Sequence, residues 1–174
     1  MLNFDTNEAV QVLQRTPDVL TGLLSGLSEN WLKADEGVNT WTPVQVVAHL
    51  IEGEKTNWIP RLEWIMERGE AEPFPPFDRF ARLNESVDTP VEQMLSEFRM
   101  LRSHSLTRLR SLIDSAEVLE RRGSHPQFGT VKTKELLSTW VVHDLTHMNQ
   151  ILRVMAKRYQ QDVGPWKALL SILR

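Results

Sequence analysis

Apolar residues recur at helical spacing in four long stretches of the chain. Ala9, Val10, Leu13, Leu20, Leu23, Leu24 and Leu27 form the first stripe, and Asp5 followed by Glu8 reads as its capping box. Pro17 falls inside this stripe, so the helix is expected to kink there or to restart after Thr16. A loop follows, with Asp35-Glu36-Gly37-Val38-Asn39 as its turn chemistry. Val44, Val47, Ala48, Ile51, Trp58, Ile59, Leu62, Ile65 and Met66 form the second stripe, opened by the cap Thr42-Pro43-Val44-Gln45. Pro60 predicts a bend near Thr56, whose carbonyl loses its usual donor. The third stripe runs from Val91 through Met94, Leu95, Phe98, Leu101, Leu106, Leu109 and Leu112 to Ile113, with Thr89 expected as cap and Pro90 at the first helical position. The fourth follows Thr133, its expected cap, through Leu136, Leu137, Trp140, Val141, Ile151, Leu152, Val154 and Met155.

The stretches between these helices differ in kind. Glu70 to Asn84 holds Pro73, Pro75, Pro76 and the phenylalanines Phe74, Phe77 and Phe80, too many prolines for a regular helix and too many aromatics for a free linker. It is expected to wrap across the bundle as a long crossover. Leu119 to Lys132 is broken by Gly123, Pro126 and Gly129. Gly164-Pro165-Trp166 opens a short last helix carrying Leu169, Leu170, Ile172 and Leu173. No clear strand pattern or internal repeat is visible. The expected fold is all-α: a four-helix bundle, with a long crossover between the second and third helices and a short C-terminal helix, in one domain spanning residues 1–174.

Composition narrows the chemistry. The chain has no cysteine, so disulfides and thiolate metal sites are excluded, and any metal must be held by histidine and carboxylate. A cysteine-free chain fits a cytoplasmic protein. The first residues, Met1-Leu-Asn-Phe-Asp, carry neither a basic flank nor a long apolar run, so no secretory signal is read. No run approaches the ~20 apolar residues of a membrane span. A net charge of −3 offers no basic footprint for nucleic acid.

Histidine placement carries the candidate chemistry. His143 and His147 stand four residues apart on the fourth helix, which turns the second side chain only about 40° from the first and raises it by roughly 6 Å. Both imidazoles can aim at one point, although the spacing also suits two ordinary histidines on a helix flank. His49 lies just off the apolar stripe of the second helix. If the second and fourth helices face each other, it can join the pair. Three neutral imidazoles would then hold a divalent metal, Zn²⁺ or Ni²⁺, with a position left open for water or substrate. Asp144 gives the segment the spacing His-Asp-x-x-His, that of the zincin helix with a shorter acid, so it is a candidate base or a partner for an arginine. Glu52, one turn after His49, is a candidate base, a group orienting a ligand, or a plain surface glutamate. Gln45, Glu52, Trp140 and Gln150 are candidate pocket walls by position. His104, among Arg102, Ser103 and Ser105, reads as surface, and His125 as a plain loop residue or a group that orients a ligand from behind.

Longer matches carry a family likeness. Trp41-Thr-Pro with Val47-Ala-His49-Leu, Trp58-Ile-Pro-Arg61, Pro76-Phe-Asp-Arg79-Phe, His125-Pro with Phe128-Gly, and Thr139-Trp-Val-Val-His143-Asp-Leu-Thr-His147-Met-Asn-Gln150 together resemble the DinB-like superfamily. These are four-helix bundles of the damage-inducible-protein-B type, unrelated to the polymerase that shares the name. The resemblance covers nearly the whole chain. It implies a divalent metal held by His49, His143 and His147, and homodimers are common among such proteins. It does not fix the reaction. Relatives include metal-dependent transferases and isomerases that use low-molecular-weight thiols, so a thiol transferase acting on a small molecule is the leading expectation. A zincin-like hydrolase with Asp144 as base and a non-catalytic metal-binding bundle are the alternatives.

Overall fold

The structure is a computed structural model that describes residues 4–83 and 89–174. The first three residues of the N-terminal reading and the end of the crossover at Asn84 lie outside the described residues. The first stripe folds as α1 (Thr6–Leu13) and α2 (Thr16–Leu24). Asp5 caps α1, its Oδ1 accepting the Glu8 N–H at 2.9 Å, and the chain restarts at Thr16 with Pro17 in the first turn of α2. After a single turn, α3 (Glu29–Leu32), the second stripe folds as α4 (Pro43–Thr56) and α5 (Trp58–Arg68). Its start is a complete capping box: the Gln45 N–H donates to Thr42 Oγ1 at 3.2 Å, and the Thr42 N–H donates to Gln45 Oε1 at 3.0 Å. The bend expected from Pro60 falls at Asn57, where φ is −111° and ψ is −67°.

The third and fourth stripes fold as α6 (Val91–Leu112) and α8 (Thr133–Lys157), with a one-turn α7 (Ala116–Leu119) between them. Both starts differ by one residue from the expected caps. Pro90, not Thr89, is the N-cap of α6, its carbonyl accepting from the Gln93 and Met94 N–H groups. Lys132 stands at the N-cap of α8, its N–H held by Glu135 at 2.8 Å, while Thr133 already has helical geometry.

One further expectation is corrected. Leu119 to Lys132 contains a small antiparallel hairpin, β1 (Arg122–His125) and β2 (Gly129–Lys132), paired from Arg122↔Lys132 to His125↔Gly129. Its turn is tied by His125, whose Nδ1 accepts the Gln127 and Phe128 N–H groups at 3.1 and 3.3 Å. The short C-terminal helix is present, wound as 3-10 turns over Gly164–Leu169 and Ser171–Leu173.

The packing order around the bundle brings the site together. α4 packs against α6 and α8, α2 against α6, and α1 against α8. The circuit therefore runs first, third, second, fourth, and the second and fourth helices are neighbours. The crossover does wrap: the Phe74 N–H donates to the Ser124 carbonyl at 2.8 Å, and the Phe74 ring is buried against the bundle. Among the described residues, no helix is long and apolar enough to cross a membrane.

One apolar cluster gathers Leu13, Trp58, Leu62, Leu106, Leu137 and Trp140; another gathers Leu20, Val47, Ile51, Leu95, Phe98 and Ile151. Between them in sequence, on four helices, stand the buried polar residues Thr16, Glu54, Arg102 and Asp144. The Arg102 guanidinium grips Asp144 through two N–H···O bonds of 2.6 and 3.0 Å and gives two more, of 3.0 and 2.9 Å, to Glu54 Oε1. It also donates to the Leu13 carbonyl at 2.8 Å. Thr16 Oγ1 donates to Asp144 at 2.7 Å and Trp140 Nε1 to Glu54 at 3.2 Å. Burial pushes the Glu54 carboxyl up despite its guanidinium partner. This layer ties all four bundle positions at one level.

Candidate metal centre

His49 sits two turns into α4, and His143 and His147 sit at mid-length on α8. Because these helices are neighbours, the three rings meet. Nε2 of His143 lies 3.0 Å from Nε2 of His49 and 3.1 Å from Nε2 of His147, and the three ligand atoms lie within 4.8 Å of one another. Tetrahedral coordination at ordinary Zn–N lengths separates two nitrogens by about 3.3 Å. The rings therefore stand near the spacing that a shared ion requires.

Hydrogen bonds at the far side of two rings set their tautomers. His49 Nδ1 faces the Arg79 carbonyl at 3.3 Å, and His147 Nδ1 faces Gln150 Oε1 at 2.8 Å. A carbonyl and an amide oxygen only accept, so each Nδ1 carries the proton when the ring is neutral, and each Nε2 keeps its lone pair for the centre. His143 Nδ1 is buried without a hydrogen-bond partner among the described residues. At most one proton, on His143 Nε2, can then lie among three converging nitrogens, and it can serve only one neighbour at a time. A cation satisfies all three at once, so the donor set fits a divalent metal.

The surroundings favour neutral rings. Burial is the largest cause of depression for all three. With the neighbouring imidazoles it lowers His143 to about 2, and with His147 it lowers His49 to about 4. Aromatic faces supply that burial. Trp41 lies 4.9 Å from the His49 ring and stacks at 14° on His147, Phe77 meets His49 edge-on, and Trp58 meets His143 edge-on at 5.0 Å.

The triad opens on a cavity of about 510 Å³. Glu36, Thr40, Trp41, Arg79, Gln150 and Arg153 are among its walls. The loop bearing Glu36 is turned by Gly37 (φ +119°) and Asn39 (φ +65°), left-handed positions that suit glycine and asparagine. Thr40 Oγ1 accepts the Glu36 N–H at 2.9 Å. Arg153 then holds the Glu36 carboxylate through Nε at 2.8 and 3.0 Å and Nη2 at 2.6 Å. With Lys157 at 3.0 Å, these bonds bring Glu36 down to about 2.

Not every candidate residue reaches this place. Asp144 is fully buried with both carboxylate oxygens engaged by Arg102 and one also by Thr16, so the structure gives it the arginine-partner role and not a base's position. Glu52 is half-exposed, accepts the Thr56 hydroxyl at 3.0 Å and is not a wall of the cavity. Of the expected wall residues only Gln150 lines it; Gln45 is spent on its capping box, and Trp140 is core. His104 is exposed, as expected of a surface residue. Glu36, Arg79 and Arg153 were not foreseen, since nothing local marks a loop or helix-flank charge as facing a cavity.

Comparison with known proteins agrees with the fold. Residues 13–151 match the family model of the DinB superfamily. No curated protein matches the chain. Among solved structures it is similar to YfiT from Bacillus subtilis, at 20% identity and a TM-score of 0.77, over 90% of this chain and 91% of that one. That protein is described as a probable metal-dependent hydrolase with an unusual four-helix bundle topology.

Proposed function

The chain belongs to the DinB superfamily, and on that premise we propose that it is a metal-dependent enzyme acting on a small molecule. His49, His143 and His147 hold one divalent ion, zinc or nickel, at the wall of the cavity, and a low-molecular-weight thiol serves as co-substrate in a transfer or isomerisation. The convergence of three Nε2 atoms beside an open cavity carries this reading. Bound there, a divalent ion supplies a Lewis acid that makes a thiol or a water more acidic. The protein's own residues do the rest. The Arg79 carbonyl and the Gln150 amide orient two ligands, Trp41, Phe77 and Trp58 shield the rings from water, and the Glu36–Arg153 pair presents a fixed dipole to whatever enters.

A second reading is hydrolysis at the same centre, favoured by the likeness to YfiT, itself described as a probable metal-dependent hydrolase. Asp144 as its base is not what the geometry supports, because that carboxylate is committed to Arg102. We read the chain, residues 1–174, as a single functional unit, a homodimer of the cytoplasm; sedimentation of the purified protein tests the oligomer.

The test is elemental analysis of protein purified without a histidine tag, beside His49→Ala and His143→Ala/His147→Ala. About one metal per chain in the wild type and little in either variant is expected. A wild type that folds but takes up neither Zn²⁺ nor Ni²⁺ refutes the reading. In metal-loaded protein, turnover that needs an added thiol selects transfer over hydrolysis. Undiminished turnover in metal-free His143→Ala rules out both.

A further inference from the structure

Among the described residues, every charged wall residue of the cavity but one is paired with an opposite charge. Arg153 and Lys157 share Glu36. Arg79 has no carboxylate partner among the described residues; its guanidinium lies 4.7 Å from the Phe80 ring centroid and 6.0 Å from that of Trp41. Aromatic faces hold a planar guanidinium in place while leaving its N–H groups unspent. The same residue's carbonyl faces His49 Nδ1, so this guanidinium, unpaired with any carboxylate among the described residues, is tied by one residue's length of backbone to a candidate metal ligand. The walls carry two arginines against one glutamate, and a divalent ion would add to that excess.

We propose that Arg79 anchors an anionic group on the molecule entering the cavity, so that the site selects a thiol bearing a carboxylate, sulfonate or similar oxyanion over a neutral one. The proposal rests on the metal-and-thiol reading given above. A guanidinium with its fork free pairs such groups bidentately, and a cavity of about 510 Å³ admits a small molecule that reaches the triad with one end and Arg79 with the other. Packing alone does not account for the arrangement, because a stacking role would be filled as well by an apolar side chain, with no uncompensated charge on the wall.

The probes are 2-mercaptoethanesulfonate and 2-mercaptoethanol, titrated calorimetrically into protein loaded with Zn²⁺, its metal content measured first. They share a two-carbon thiol arm, and the sulfonate scarcely coordinates metal, so their difference reports the anion anchor. Wild type is expected to bind the sulfonate about tenfold more tightly, the size of one charge-assisted contact. In Arg79→Met the ratio should fall to within about twofold of unity; in Arg79→Lys, which keeps the charge but not the fork, it should stay between the two. Arg79 is exposed and its backbone contact survives both changes, so the variants are expected to fold. Metal-loaded protein that binds neither thiol, or prefers the sulfonate equally with and without Arg79, overturns the proposal and leaves the metal site standing. Wild type that takes up no metal removes the reading beneath it, and this proposal falls with it.

Discussion

Replacing Arg102 by methionine keeps the length of the side chain and removes the charge that holds the mid-bundle layer. The guanidinium makes five hydrogen bonds among the described residues, to Asp144, Glu54 and the Leu13 carbonyl, with both carboxylates fully shielded from solvent. Breaking a buried ion pair by deleting one partner costs about 3–5 kcal/mol, because the remaining charge keeps its desolvation penalty. For a chain of this size that corresponds to a fall in Tm of roughly 6–20 °C. The loss should depend on pH. Without Arg102, burial and the neighbouring Asp144 carboxylate still push Glu54 up while the guanidinium that opposed them is gone, so the folded pKa of Glu54 lies further above its unfolded value. Such a group leaves stability intact below the unfolded pKa, near 4, and removes it as pH rises through the folded pKa. Arg102→Met should therefore be far less stable than wild type at pH 8 and close much of the gap at pH 5. Urea unfolding followed by circular dichroism, with chelator in every sample so that metal binding does not mask the difference, measures it. Adding Glu54→Met and Asp144→Leu should restore most of the loss, since an apolar layer needs no counter-charge. A loss below about 1 kcal/mol, or one independent of pH, would refute the account of this layer as a compensated charge cluster.

Two further outcomes follow from the structure. The metal-free protein should lose stability as pH falls below about 6.5: the unfolded chain then takes up protons that His49, depressed to about 4, and His143, depressed to about 2, refuse in the fold. Denaturation midpoints at pH 8, 6.5 and 5 check this, and a His143→Gln variant should flatten the profile; a flat wild-type profile contradicts the assigned burial. Gly123→Ala should destabilise by about 1–3 kcal/mol, because a Cβ there would stand 2.7 Å from Ile65 Cγ1 and 3.0 Å from the Phe74 ring. Thermal melts test it, and an unchanged Tm would mean that the hairpin does not press on α5 as described.

Much of this molecule is legible in its sequence because the governing forces act locally. The four apolar stripes, the Thr42–Gln45 box, the break that Pro60 imposes at Asn57 and the restart at Thr16 all depend on residues within about one turn of each other. So does the aim of His143 and His147, which a helix alone aligns. The hairpin was hidden because four-residue strands containing Gly123 and Gly129 show no alternation; pairing and packing on α5 stabilise them, not propensity. The mid-bundle charge layer did leave a trace. Arg102 lies between Phe98 and Leu106, and Asp144 between Trp140 and Ile151, each interrupting a buried stripe with a charge that must find a partner. Which partner, however, depends on which helices touch. Helical periodicity says which face of each helix is buried but not against what. The long connections after α5 and α6 leave the packing order to tertiary fit, which set the second helix beside the fourth. That one adjacency brought His49 to the pair, turned Asp144 into the partner of Arg102, and placed Glu36, Arg79 and Arg153 around a common cavity.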